Sequence, residues 1–255
     1  QNLLGFNGNF NVNLGIPRNE GLNGTLNVRN EKVNLFGTVN LSNSENSGTF
    51  FSETNYTRQD LTIEETNDSD YNNKNIFFNL GSEYYFDDNT SLTISGFYKK
   101  GDESSFLTNI VNDISRGSIS STNNRLRDET EMDESFEYAL DFYKDYDRDG
   151  QTLSARISYE ESEDDGLEDI EDFASFPLIS ESIFEKVSNL DSQKRLLGQI
   201  DFIYPIDKET EFEFGYRGSF LERETDYDVS FLTGNSFVSD PGLSNVFNYK
   251  ESVNS

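Results

Sequence analysis

Carboxylates dominate the side chains able to do chemistry in this sequence. The densest run, Glu160 to Asp172, contains Asp164, Asp165, Glu168, Asp169, Glu171 and Asp172. Carboxylates at such density favour hard cations, so the patch is a candidate for collecting Ca²⁺ or a cationic ligand. The same run also reads as a solvated, self-repelling loop. Asp145, Asp147, Asp149 and Gly150 reproduce the opening of an EF-hand loop. Position twelve of that loop falls on Arg156, where a bidentate Glu should stand, so an acidic turn is expected instead. Glu211 and Glu213 are spaced for paired acid–base work, but no nucleophile or cofactor motif accompanies them. With no cysteine and no histidine, zinc sites, disulfides and Ser-His or Cys-His catalysis are excluded. The expectation is a non-enzyme that carries no cofactor and no assigned metal.

The elements that position these groups are legible as alternation. Leu4, Phe6, Gly8, Phe10, Val12, Leu14 and Ile16 are separated by polar residues, mostly Asn. A period of two means an extended strand with two unlike faces. The pattern predicts strands at 3–16, 22–29, 33–42, 75–86, 91–100, 135–146, 151–160, 194–204 and 210–221, with a tenth beginning near Phe247. Along the apolar side of the nine there is no charge, although 27% of the chain is charged. The other side carries Arg29, Glu83, Glu137, Asp141, Arg156, Asp201, Glu211, Glu213 and Arg217.

Composition alone points elsewhere. A net charge of −28 with 33% hydrophobic residues resembles a disordered or highly soluble chain, yet 14% aromatics argue for order. No apolar run approaches the roughly 18 residues of a transmembrane helix. A membrane β-barrel leaves no such run, because half of each strand faces away from lipid. The acid excess argues against nucleic acid as a partner. No signal peptide is visible before Gln1, as expected of a trimmed mature protein or a piece of a longer one.

Connections sharpen the reading. Short turns are expected near 30–32, 87–90, 145–150 and 205–209, and long polar loops at 43–74, 101–134, 161–193 and 223–246. Tight turns on one rim and long extracellular loops on the other are the asymmetry of outer-membrane barrels. Aromatics near the strand ends, Tyr84, Phe86, Phe142, Tyr204 and Phe212 on one side and Tyr98, Phe136, Tyr159 and Phe220 on the other, read as two girdles. Within the third long loop, Ser182 to Glu185 fits a capping box. Ile179, Ile183, Val187 and Leu190 would share the face of a short helix there. The fold expected is all-β: a transmembrane, antiparallel, up-and-down barrel of about ten strands.

The segments Gly21-Leu-Asn-Gly-Thr-Leu-Asn-Val, Lys32-Val-Asn-Leu-Phe-Gly-Thr-Val, Asn79-Leu-Gly-Ser-Glu-Tyr-Tyr-Phe and Asn245-Val-Phe-Asn-Tyr-Lys-Glu resemble the barrels of Bacteroidetes TonB-dependent receptors. The resemblance spans nearly the whole chain as a strand-and-turn pattern. It implies a 22-stranded barrel in the bacterial outer membrane, a plug domain in its lumen, and coupling to TonB. This chain holds about ten strands and no plug domain, so the expectation is a partial barrel. The function implied is energised uptake of a nutrient bound by the extracellular loops. Alternatives are a structural or accessory barrel subunit without transport, and a small barrel acting as an adhesin or surface enzyme. Outer-membrane lipid is the expected surrounding partner, with other outer-membrane proteins as further candidates. No residue pattern specifies the ligand.

Overall fold

The computed structural model describes residues 5–207 and 209–255. Gln1 to Leu4, the start of the first expected strand, and Lys208 in the last expected turn lie outside the described residues. The strands are β1 (Gly5–Asn13), β2 (Asn19–Arg29), β3 (Val33–Tyr56), β4 (Leu61–Asp87), β5 (Thr90–Ser115) and β6 (Ser118–Asp145). They continue as β7 (Thr152–Phe176), β8 (Ile183–Pro205), β9 (Glu211–Thr233), β10 (Ser236–Ser239) and β11 (Asn245–Asn254). Each pairs antiparallel with the next from β1 to β10, and β11 returns to the same edge of β9. This is one up-and-down sheet with no helix among the described residues.

Register carries the apolar face unbroken from strand to strand. Gly8 stands opposite Leu26, Leu26 opposite Gly37, Gly37 opposite Leu80, Leu80 opposite Gly96, and Gly96 opposite Tyr138. Opposite residues share a face, so all these side chains lie on one surface. No second protein layer covers that surface: Leu80 and Ile94 are each 62% exposed. Among the described residues the buried apolar side chains are Ala139, Ile170, Val187 and Val229 alone. A water-soluble protein does not leave so large a continuous apolar surface bare. The missing half of the core is therefore lipid.

The extent of the band fits that solvent. Along the outward row of β6, Glu134 and Lys144 are the first charges at either end, ten residue steps apart. At about 3.4 Å per step and a tilt near 40°, this is about 26 Å, the height of the apolar band of an outer-membrane barrel. Paired rings mark both borders. Tyr84 with Phe86, Phe202 with Tyr204 and Phe212 with Phe214 lie toward the short turns, and Phe136 with Tyr138 and Tyr159 toward the other side.

Beyond Glu134, Lys100, Glu161, Lys194 and Glu222 the strands do not stop. Residues 43–74, 101–134, 161–193 and 223–246 are mostly paired strand rather than loop. Their reversals are brief: 57–60, Arg116-Gly117, 177–182 and Gly234-Asn235. Positive φ at both Arg116 (52°) and Gly117 (74°) gives the two-residue hairpin turn that suits strand twist. From Lys100 to that turn the hairpin rises about 50 Å along the strand. Water wets both faces of this extension, so apolar alternation fades although pairing persists. The helix expected around Ser182 to Leu190 is absent: Ile183 opens β8, whose backbone is paired on one side by β7 and on the other by β9. A helix there would strip both neighbours of their hydrogen bonds.

Candidate functional site

The inward face is polar and held by charge pairs at membrane depth. The Arg156 guanidinium donates to Asp141 at 2.9 Å and to Glu137 at 2.6 Å. Arg29 lies over the Tyr85 ring at 4.5 Å, and Tyr85 donates to Glu83 at 2.6 Å. Glu211 and Glu213 lie on this face at the short-turn border, on one strand as the alternation required. The EF-hand-like segment is a turn: the Gln151 amide donates to the Arg148 carbonyl at 2.9 Å, and Gly150 takes φ 79°. Arg148 ties it to the next turn through the Tyr204 hydroxyl at 2.6 Å and the Ile206 carbonyl at 2.7 Å.

The six carboxylates singled out from the sequence all sit on β7, and the pleat divides them. Asp164, Glu168 and Asp172 face inward; Asp165, Asp169 and Glu171 face outward. Most meet a partner. Arg125 donates to Asp172 at 2.9 Å, Lys186 lies 3.1 Å from Asp169, Arg127 lies 3.8 Å from Glu168, and Ser182 donates to Glu171 at 2.6 Å. Asp165 stands opposite Met132 and Leu190. Among the described residues no group of three or more acidic side chains is placed to hold a metal ion.

The pairing brings together a different set, which sequence proximity concealed. Asp133, Asp164 and Asp191 stand side by side on β6, β7 and β8, and one step higher Glu103 stands opposite Glu131. Like charges directly opposite repel. Burial pushes the carboxyl of Glu131 up, reinforced by Glu103, and burial does the same to Asp164, reinforced by Asp133 and Asp191. Burial opposes ionisation of Asp191 as well, but hydrogen bonds from Arg223 and Thr225 outweigh it and hold that carboxyl low. Lys99 reaches Asp133 at 2.5 Å. The inward face is thus most negative just above the hydrocarbon border. By contrast, a shallow groove of about 1280 Å³ crosses the apolar face over Gly24, Gly37 and Gly96, where lipid chains reach it.

The chain from Lys144 to its last described residue matches a known family: the model described as outer membrane protein beta-barrel family covers residues 144–255. No curated protein matches the chain. The uncovered apolar face, its height, the aromatic borders and this match agree, and the chain is an outer-membrane β-barrel protein of a bacterial cell.

Proposed function

We propose that this wall belongs to a TonB-dependent receptor that takes up a nutrient by energised transport. The observation that carries the reading is the asymmetry of the two rims. One has turns as short as Asp88-Asn89; the other has four hairpins that rise far beyond the lipid. Recognition elements raised on a rigid scaffold are where binding concentrates. The inward carboxylates suit a water-filled or plugged lumen, and a plug with basic residues would neutralise them. The outer edge of β1 and the edge of β9 below Arg217 carry no strand among the described residues. Within hydrocarbon the backbone groups of such edges have no water to bond them.

The test is accumulation of labelled metal chelates, oligosaccharides and peptides by cells producing the protein, with and without a proton uncoupler. Purified TonB periplasmic domain is assayed in parallel for binding to the detergent-solubilised protein. Uncoupler-sensitive uptake and TonB binding are expected. Absence of both favours a structural or accessory barrel subunit.

A further inference from the structure

β2 stops short of its neighbour. Its pairing with β3 ends at Asn19 and Ser44, and the Glu45 amide donates to the Arg18 carbonyl at 2.8 Å, while β3 runs on to Tyr56. From Asn46 to Tyr56, β3 is paired on one side only, by β4. β1 ends lower still, with Asn13 opposite Gly21, so the 14–18 reversal sets this edge and neither end of the chain does. Backbone direction alternates along a strand. The Glu45 amide points away from β4, and so do the N–H and C=O groups of Ser47, Thr49, Phe51, Glu53 and Asn55. Among the described residues no backbone group meets them.

Exposed edges are ordinarily blunted by lysine, proline, a bulge or brevity. Between Asn46 and Tyr56 there is no lysine, arginine or proline, and the register with β4 holds without a shift. Phe50 and Phe51, on opposite faces of this edge, are 62% and 56% exposed. Such a row of free donors and acceptors is completed by one more extended strand.

The outward face of the edge says what that strand carries. Ser47 stands in a row with Asp70, Phe106 and Asp128, which together line a hollow of about 430 Å³. Neither Asp70 nor Asp128 has an ion pair among the described residues. Further up, Phe51 stands in a row with Thr66 and Ile110, and Glu53 stands opposite Glu64. No lysine or arginine lies on β3 from Glu45 to Tyr56, on β4 from Leu61 to Asn72, or on β5 from Asp102 to Ser115. Of the flanking cations, Arg18 below is held by Glu45 at 3.0 Å, and Arg58 lies above Tyr56 in the reversal. On β6, Arg125 and Arg127 face inward, toward Asp172 and Glu129.

We infer that the edge of β3 from Ser47 to Asn55 binds an extended basic peptide as an added strand. This rests on the reading of the tall hairpins as recognition elements. Side chains on one face of the peptide fall opposite Glu53, Phe51, Thr49 and Ser47, at every second residue. The first is basic and meets Glu53 and Glu64; the second is apolar and packs on Phe51 and Ile110. The fourth, six residues from the first, is basic and reaches over Ser47 to Asp70. A second copy of this chain is a poor occupant, since each carries a net charge of −28.

The experiment is equilibrium binding of the peptide Thr-Lys-Thr-Val-Thr-Thr-Thr-Arg-Thr to the detergent-solubilised full protein, with native folding checked by gel mobility. The peptide is expected to bind. Replacing its Lys and Arg by Glu, or methylating alternate backbone nitrogens so that it cannot pair, should each weaken it about tenfold or more. Thr49→Pro removes a donor that β4 does not use and should weaken binding to a similar extent. Asp70→Asn should weaken the parent peptide about threefold to tenfold and leave a peptide with Thr in place of Arg unaffected. No binding of the parent peptide, or equal binding of the methylated or the Glu peptide, overturns the inference, as does unchanged binding by folded Thr49→Pro. The methylated peptide is read on the parent protein, so the test survives a variant that fails to fold. Micelle binding needs no TonB or proton gradient, so its failure and the failure of energised uptake are separate results.

Discussion

Ile94 and Thr93 are adjacent on β5 and face opposite ways, which makes them a sharp test of which solvent each face meets. Ile94 sits near mid-band, opposite Ser82 and Leu140, and is 62% exposed. An arginine there faces hydrocarbon at a depth where a cation costs about 2–4 kcal/mol. That is a fall of about 30- to 700-fold in the folding equilibrium constant. Thr93 stands opposite Glu83 on one side and Asp141 on the other. An arginine at 93 meets two carboxylates in a wet interior, and Thr93→Arg should lie within about 1 kcal/mol of the parent. The assay is urea unfolding in phospholipid vesicles, followed by gel mobility and tyrosine fluorescence, since the chain has no tryptophan. Equal losses in the two variants, or a larger loss for Thr93→Arg, would refute the assignment of faces.

Other consequences follow from particular contacts. Removing one carboxylate from the opposed pair by Glu131→Gln should raise stability at neutral pH. The folded pKa of Glu131 is raised, so its penalty is present above that value and vanishes below the ordinary carboxylate range; unfolding curves of parent and variant should converge as pH falls to about 4. Asp191→Asn should act with the opposite sign, destabilising at neutral pH and losing its effect in acid, because Arg223 and Thr225 hold that carboxyl low. Ile170→Ala, in the buried cluster with Val187 and Val229, should cost about 2–4 kcal/mol locally and speed hydrogen exchange in the β7–β8 extension while sparing the membrane band. Gly81→Val places a side chain where the Phe36 ring lies, with a Cβ only 2.2 Å from its Cζ. A loss of about 1–3 kcal/mol by vesicle unfolding is expected, and Phe36→Ala in the same chain should relieve part of it.

Legibility in the sequence followed the solvent. Where lipid touches one face and water the other, as between Leu92 and Tyr98, alternation is forced and the strand reads directly. The short turns read equally well, because Asp87-Asp-Asn89 and Asp149-Gly150 are turn chemistry at the ends of apolar runs. Above the band both faces meet water, no apolar stripe is required, and pairs such as Thr108 with Leu126 leave no periodic trace. The remaining signals were local: Arg116-Gly117 and Gly234-Asn235 are hairpin dipeptides inside polar stretches. The acidic run on β7 was visible as charge, but its division between two faces depends on knowing it is a strand. The alignment of Asp133, Asp164 and Asp191 depends on register across three strands. That Phe247 and Tyr249 stand opposite Thr225 and Arg223 on the inward face depends on the three-residue offset between β10 and β11 against β9.

The account stands on one face of the sheet meeting lipid and the other meeting water. The chain has no native cysteine, so single cysteines at 92–104 can each carry a nitroxide for collision measurements in vesicles. Labels at 92, 94, 96 and 98 should collide with dissolved oxygen and be shielded from a water-soluble nickel complex. Labels at 93, 95 and 97 should show the reverse, and beyond Lys100 both sets should be open to nickel. Uniform nickel access along 92–98, or alternation continuing unchanged to 104, would contradict it.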